Sequence, residues 1–160
     1  MSALERNPQP REGNGWSHKY ARRQWDLVDN KNLNFHHLGD FDAAMLEVIK
    51  SQKNIQKTPV QEIWHSDYDQ VLAYTRKDLL FVFNFNFNPC KSFTDYGLLV
   101  PAGSYEVVLN TDAKEFGGNG LNDDSVKHFT MFDPLHKKYR KEWLKLYLPA
   151  RTAMVLRKCK

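Results

Sequence analysis

Cysteine is scarce: Cys90 and Cys159 are the only two, too few for the disulfide framework that holds small secreted domains together. Nothing at the N-terminus has the order of basic, apolar and small residues that marks a signal peptide, so the expectation is a reduced, cytoplasmic protein. Long hydrophobic runs are missing too. The densest, Leu79 to Phe85, is interrupted by Asn84 and falls far short of the roughly 20 residues that cross a bilayer; no membrane span is expected. Metal-ligand spacings are absent around the one histidine cluster. His36-His37 has no Cys-x-x-Cys, His-x-x-x-His or Glu-x-x-His beside it, and adjacent residues point different ways on a regular element, so no metal site is expected. A phosphate cradle is also absent, because Gly117-Gly118-Asn119-Gly120 has neither the lysine nor the following helix that a nucleotide loop uses. No cofactor is implied.

What is present describes an ordinary packed domain. With 160 residues the chain suffices for one domain, or one domain with a helical appendage, and is too short for a complete α/β barrel. Apolar residues at 41% and charged residues at 26% exclude disordered, collagenous and coiled-coil classes. Aromatics reach 13%, a bias that suits half-buried strands or a stacking surface. The net charge of +4 is uneven. From Lys137 to Lys160 nine Lys or Arg face one acid, Glu142, giving that segment +8. These charges alternate with Trp143, Leu144, Leu146, Leu148, Ala153 and Val155, as on the wet face of strands whose edges lysines protect. A nucleic-acid partner is therefore not expected.

Residues 1–15, with Pro8, Pro10, Gly13 and Gly15, read as an irregular lead-in. Residues 16–52 form a helical segment. Ser17 can cap a helix over His18 to Val28 that ends near Asn30. A second helix is expected after Gly39 with Asp40 as cap, burying a stripe of Phe41, Ala44, Met45, Val48 and Ile49. From residue 53 to 160 the period changes to short apolar runs between turn residues. Eight strands are expected: Val60–His65, Gln70–Thr75, Leu79–Phe87, Phe93–Val100, Ser104–Leu109, Val126–Phe132, Trp143–Leu148 and Thr152–Leu156. In the third, Phe81, Phe83, Phe85 and Phe87 share one face and Leu80, Val82, Asn84 and Asn86 the other, and one face is fully core. Short turns such as Pro101-Ala102-Gly103 make the connections antiparallel. The fold class is thus mainly β, an antiparallel β-sandwich preceded by two α-helices. A long glycine-containing loop, Thr111 to Ser125, carries Asp112, Glu115, Asp123 and Asp124; acids in such loops usually turn the chain or face solvent.

Several segments together resemble one family. Pro10-Arg11-Glu12-Gly13-Asn14-Gly15-Trp16-Ser17, continuing through Tyr20-Ala21-Arg22-Arg23-Gln24-Trp25-Asp26-Leu27-Val28-Asp29, resembles the end of the barrel in glucan branching enzymes of the eukaryotic type. Asn34-Phe35 to Phe41-Asp42-Ala43-Ala44-Met45, Leu79-Leu80-Phe81-Val82-Phe83-Asn84-Phe85, Lys91-Ser92-Phe93-Thr94-Asp95-Tyr96, Pro101-x-Gly103 and Leu109-Asn110-Thr111-Asp112-Ala113-Lys114-Glu115-Phe116-Gly117-Gly118 follow in family order. Met1 to Gln9 and residues 53–58 and 119–142 depart from it.

The resemblance implies the C-terminal portion of a 1,4-α-glucan branching enzyme of the α-amylase superfamily, a glycosyltransferase of glycogen or starch synthesis that forms α-1,6 branches with retention. The sandwich would be the α-amylase-type C-terminal all-β domain, and the two helices the end of the (β/α)8 barrel. In that superfamily an Asp nucleophile, a Glu acid/base and a second Asp lie on earlier barrel strands. None of those motifs is in this chain, which implies no catalytic residue here and an accessory role. Implied partners are the catalytic barrel and an α-glucan, with Trp25 and the Phe41/Met45/Ile49 stripe as barrel contacts; without a barrel those faces would favour self-association. Arg11, Glu12, Asn14 and Trp16 would lie near the glucan cleft, or pack barrel to sandwich. Trp64, Tyr68 and Tyr74 could form a glucan surface, or serve as core and cross-strand pairs. The alternative function is a free-standing α-glucan-binding module.

Overall fold

The computed structural model describes residues 26–132, 134 and 141–159. The chain divides into two compact units, residues 1–36 and 37–160. In the first, the described part is a helical turn, α1 (Asp26–Asp29), closed by an Asn30 carbonyl that accepts the Leu33 N–H at 2.9 Å. The expected helix over His18 to Val28 lies outside the described residues except for this last turn, and so does the 1–15 lead-in.

Helix α2 (Phe35–Lys50) starts earlier than the expected Asp40 cap. Gly39 and Asp40 sit inside it, because a glycine in a helix interior costs only about 1 kcal/mol and does not by itself end one. Eight strands follow: β1 (Gln61–Ser66), β2 (Val71–Arg76), β3 (Leu79–Asn84), β4 (Phe93–Pro101), β5 (Ser104–Asn110), β6 (Lys127–Phe129), β7 (Lys141–Leu148) and β8 (Thr152–Lys158). All eight expected strands are present. They form a six-stranded sheet in the order β1-β2-β3-β8-β5-β6 and a two-stranded sheet β4-β7, with antiparallel pairing throughout. The chain is mainly β.

Between the sheets lies the principal core. Val71, Ala73, Leu80, Val82, Tyr105, Met154 and Leu156 meet Leu98, Val100, Leu144, Leu146 and Leu148. The core face of β3 is therefore that of Leu80, Val82 and Asn84. Its phenylalanines line the outer face, where Tyr74 stacks on Phe81 and Phe83 with centroids 4.8 and 5.8 Å apart, and Phe83 on Phe85 at 5.4 Å. Part of that outer face is covered by α2: Phe41, Ala44, Val48 and Ile49 pack with Leu79, Phe81, Leu109, Val155 and Phe116. The sheet thus covers part of the stripe that was expected to meet a barrel, leaving its residues half-buried. Met45 is the exception, 39% exposed although it stands one turn from Phe41.

β3 ends at Asn84 rather than Phe87 for a local reason. Asn84, Asn86 and Asn88 each accept, through Oδ1, the N–H of the residue two further on, at 3.0–3.1 Å. Three successive side-chain turns replace the strand ladder. β6 is likewise short because the chain crosses between sheets: after pairing with β5 it bridges Met131 to Trp143 of β7.

Candidate functional site

Trp64 of β1 is described, and its position follows from a bulge. Register slips between Glu62 and Trp64, so Trp64 pairs with Ala73, whose side chain faces the core, while Ile63 also packs against that core. A bulge places two consecutive side chains toward one side of a strand. Trp64 emerges at the open edge of the sandwich, 48% exposed. Its indole Nε1–H donates to the Tyr96 hydroxyl at 2.8 Å, joining β1 of one sheet to β4 of the other. The Tyr96 O–H in turn donates to Asp69 Oδ2 at 3.2 Å, and its ring leans on Phe93 with centroids 4.9 Å apart. Burial, opposed by the Trp64 N–H and reinforced by Asp69, pushes the Tyr96 hydroxyl pKa up.

Asp69 is itself fixed, because its N–H donates to Ser66 Oγ at 3.1 Å and its carboxylate accepts from that hydroxyl at 3.3 Å. Lys91 Nζ lies 4.0 Å from Asp69 Oδ1 and 4.1 Å from the centre of the Tyr68 ring, a cation–π distance. Tyr68 is 81% exposed. One edge of the sandwich thus carries an indole and a phenol ring with a carboxylate and an ammonium between them. Aromatic faces take up the C–H face of a pyranose, and fixed polar groups take its hydroxyls. Tyr74 is not part of this group, being stacked on the outer face.

Arg11, Glu12, Asn14 and Trp16 lie outside the described residues. In the Thr111–Ser125 loop Asp112, Asp123 and Asp124 are taken up by hydrogen bonds that hold the loop itself. Asp112, 3% exposed, accepts the N–H of Asn119 at 2.9 Å and of Leu121 at 2.7 Å. Asp124 accepts from Asn110 Nδ2 at 2.9 Å, and Asp123 from both the N–H and the hydroxyl of Ser125, which hold its carboxyl below the usual range. Gly117, at φ +77°, and Gly118, whose Cβ would fall 2.3 Å from the Asp112 carbonyl, let the loop fold back so tightly. His36 and His37 each place Nδ1 on a carbonyl, of Leu33 at 2.9 Å and Glu115 at 3.0 Å respectively, which makes Nδ1 the protonated nitrogen in each.

Sequence reasoning missed Asp69, Lys91 and Tyr96, which come from different strands and turns and share no motif with Trp64. It also missed the exposed pair Glu62–His65, three residues apart with Oε1 and Nδ1 at 2.7 Å; hydrogen bonding and charge from Glu62 raise the His65 pKa.

Residues 64–158 match the family described as alpha amylase, C-terminal all-beta domain. The chain belongs to that family. Its relatives include the 1,4-alpha-glucan-branching enzymes of Candida glabrata, 42% identical over 148 residues and 92% of this chain, of Saccharomyces cerevisiae, 38% identical over 92% of it, and of Dictyostelium discoideum, 39% identical over 93%. These alignments cover 20%, 20% and 22% of the relatives, so the chain spans about a fifth of the length of the curated relatives it matches. As in that all-β family, the described residues form an antiparallel sandwich.

Proposed function

We propose that this chain serves as the accessory C-terminal domain of a 1,4-α-glucan branching enzyme, contributes no catalytic carboxylate, and works beside a catalytic barrel on glycogen- or starch-like glucan. The observation that carries the reading is the 42% identity to one such enzyme across 92% of the chain. The loop acids support the non-catalytic role, because Asp112 is buried and bonded to backbone. Leu38, Met45 and Leu46, exposed on α2, are the contacts proposed for the barrel. Two unpaired cysteines accord with a cytoplasmic setting for glycogen synthesis. The test is a branching assay on amylose, followed by iodine absorbance, with this chain beside a version extended upstream through a barrel. Activity in the extended version alone is the expected result; branching by this chain alone refutes the reading.

A second reading, a module that holds α-glucan by itself, is favoured by the Trp64–Tyr96–Asp69 network. It expects saturable retention of the chain on glycogen that is lost in Trp64→Ala and weakened in Tyr68→Ala. Arg11, Glu12, Asn14 and Trp16 remain proposed glucan contacts on the grounds of resemblance. Retention unchanged in Trp64→Ala removes the edge surface from consideration.

A further inference from the structure

On the opposite end of the six-stranded sheet from the β1–β2 turn, a cleft of about 570 Å³ lies against the ends of β2, β5, β6 and β8, within the range of small-ligand sites. Its walls carry Lys53, Lys77, Lys127, Arg157 and Lys158 against only Asp78 and Glu106. Glu106 is the register partner of both Lys127 and Arg157, yet among the described residues no ion pair within 4.0 Å joins any of these five cations to a carboxylate. Two of these charges, on Lys77 and Arg157, are held in place all the same. Lys77 sits in the left-handed region at φ +60°, and its Nζ donates to the Lys53 carbonyl at 2.7 Å, which fixes its ammonium on the wall. Arg157 Nη2 donates to Ser51 Oγ at 3.2 Å, while its Nε is shut off from solvent with no hydrogen-bond partner. The protein therefore meets the guanidinium charge only in part.

Five cations around one cleft, three in excess of its acids and two of them held by hydrogen bonds, repel one another until an anion enters. A stripe of lysines along a flat face would suit a polyanion. A solvent-open cleft of this volume with an arginine at its wall admits a small ligand with several acceptor oxygens. We infer that this cleft binds a phosphate monoester dianion, carried either by a free sugar or by a phosphorylated glucan chain. The sugar or glucan carrier rests on the glucan reading, but the phosphate site does not, and inorganic phosphate is enough to test it.

The experiment is calorimetric titration of the 160-residue chain with inorganic phosphate at pH 7.5, against chloride at matched ionic strength. Saturable binding is expected for phosphate and not for chloride. The paired variant Lys53→Gln/Lys127→Gln, both sites solvent-exposed, should weaken it by about tenfold or more. Arg157→Gln should weaken it further, and Trp64→Ala should leave it unchanged. Because Arg157 is half-buried, the exposed pair keeps the test valid if Arg157→Gln does not fold. Competition by glucose 6-phosphate points to a free sugar phosphate, and stronger retention on native than on dephosphorylated amylopectin points to a glucan-borne one. Absence of saturable phosphate binding, or binding unchanged in the lysine pair, overturns the proposal whatever the chain does with unmodified glycogen.

Discussion

Asn84 should be among the costliest single residues to replace. It is 1% exposed and stands where β3 would otherwise continue its apolar inner face. Its Nδ2 donates to the carbonyls of Lys91 at 3.0 Å and Leu148 at 3.1 Å, and its Oδ1 accepts the Asn86 N–H at 3.1 Å. One side chain thereby ties β3 of the large sheet to the end of β7 in the small one and begins the run of asparagine turns. Asn84→Ala orphans two buried carbonyls and one N–H; at about 1 kcal/mol each, the loss is about 3 kcal/mol. Asn84→Asp keeps the volume and the bond from Asn86 but turns oxygen toward two carbonyls, with a buried charge added, and should cost about 3–5 kcal/mol at pH 7. Burial raises the pKa of that introduced carboxyl, so its deficit is small below the unfolded value near 3.9 and grows as pH rises through the folded one. Urea unfolding followed by far-ultraviolet circular dichroism at pH 7 and pH 4 reads both effects. If Asn84→Asp lies within 1 kcal/mol of the parent at pH 7, or its deficit fails to shrink at pH 4, the inter-sheet role assigned to Asn84 is wrong.

Tyr105, 2% exposed, donates its hydroxyl to the Pro101 carbonyl at 2.8 Å, and burial pushes its pKa up to about 12. The folded state keeps that proton longer than the unfolded one, so stability is present below pH 10 and lost as pH rises from 10 to about 12, by about 2–3 kcal/mol; Tyr105→Phe should remove this part of the alkaline slope in unfolding curves. His128 has its pKa lowered, first by burial, so stability should fall as pH drops below about 6.5, and His128→Gln should flatten that decline in thermal melts. Gly118→Ala must push the Asp112 backbone away from a Cβ at 2.3 Å and should lose about 2–4 kcal/mol, whereas Gly39→Ala, with nothing within 4 Å, should gain about 0.5–1 kcal/mol. The opposite signs of the two glycine changes are the readout in paired melts.

The strands were legible because period-two alternation and turn residues survive any environment. The eight expected runs differ from the observed ones mainly at their ends, where the deciding interactions are side chain to backbone. Asn84 and Asn86 look like a strand's polar face in sequence, yet they end it by capturing N–H groups two residues on. Alternation also tells which residues share a face without telling which face is covered. Phe81 and Phe83 form the bulkiest apolar row of β3, but the inner core belongs to Leu80 and Val82, and the outer side is packed by α2. For the same reason the α2 stripe, expected to face a barrel, is partly covered by the domain's own sheet. The candidate site was legible at Trp64 and Tyr68. Their neighbours Asp69, Lys91 and Tyr96 are gathered by a bulge and by the meeting of two sheet edges, and neither leaves a spacing rule.

The fold separates two kinds of apolar surface, and the separation bears on function. Leu79 and Leu80 are both fully buried, so β3 is sandwiched on both faces, a burial more usual in parallel sheets covered by helices. Helix α2 supplies that second cover and is therefore needed by the sandwich itself. What remains exposed is elsewhere: Phe85 and Phe87 just after β3, and Leu38, Met45 and Leu46 on α2. Apolar surface that the domain has no internal use for marks interaction sites. A helix that buries one stripe on its own sheet while presenting another outward is placed to transmit load between a sandwich and a second body. That is the physical content of the accessory role proposed, which puts attachment on α2 and sets it apart from the Trp64 edge with its fixed polar groups.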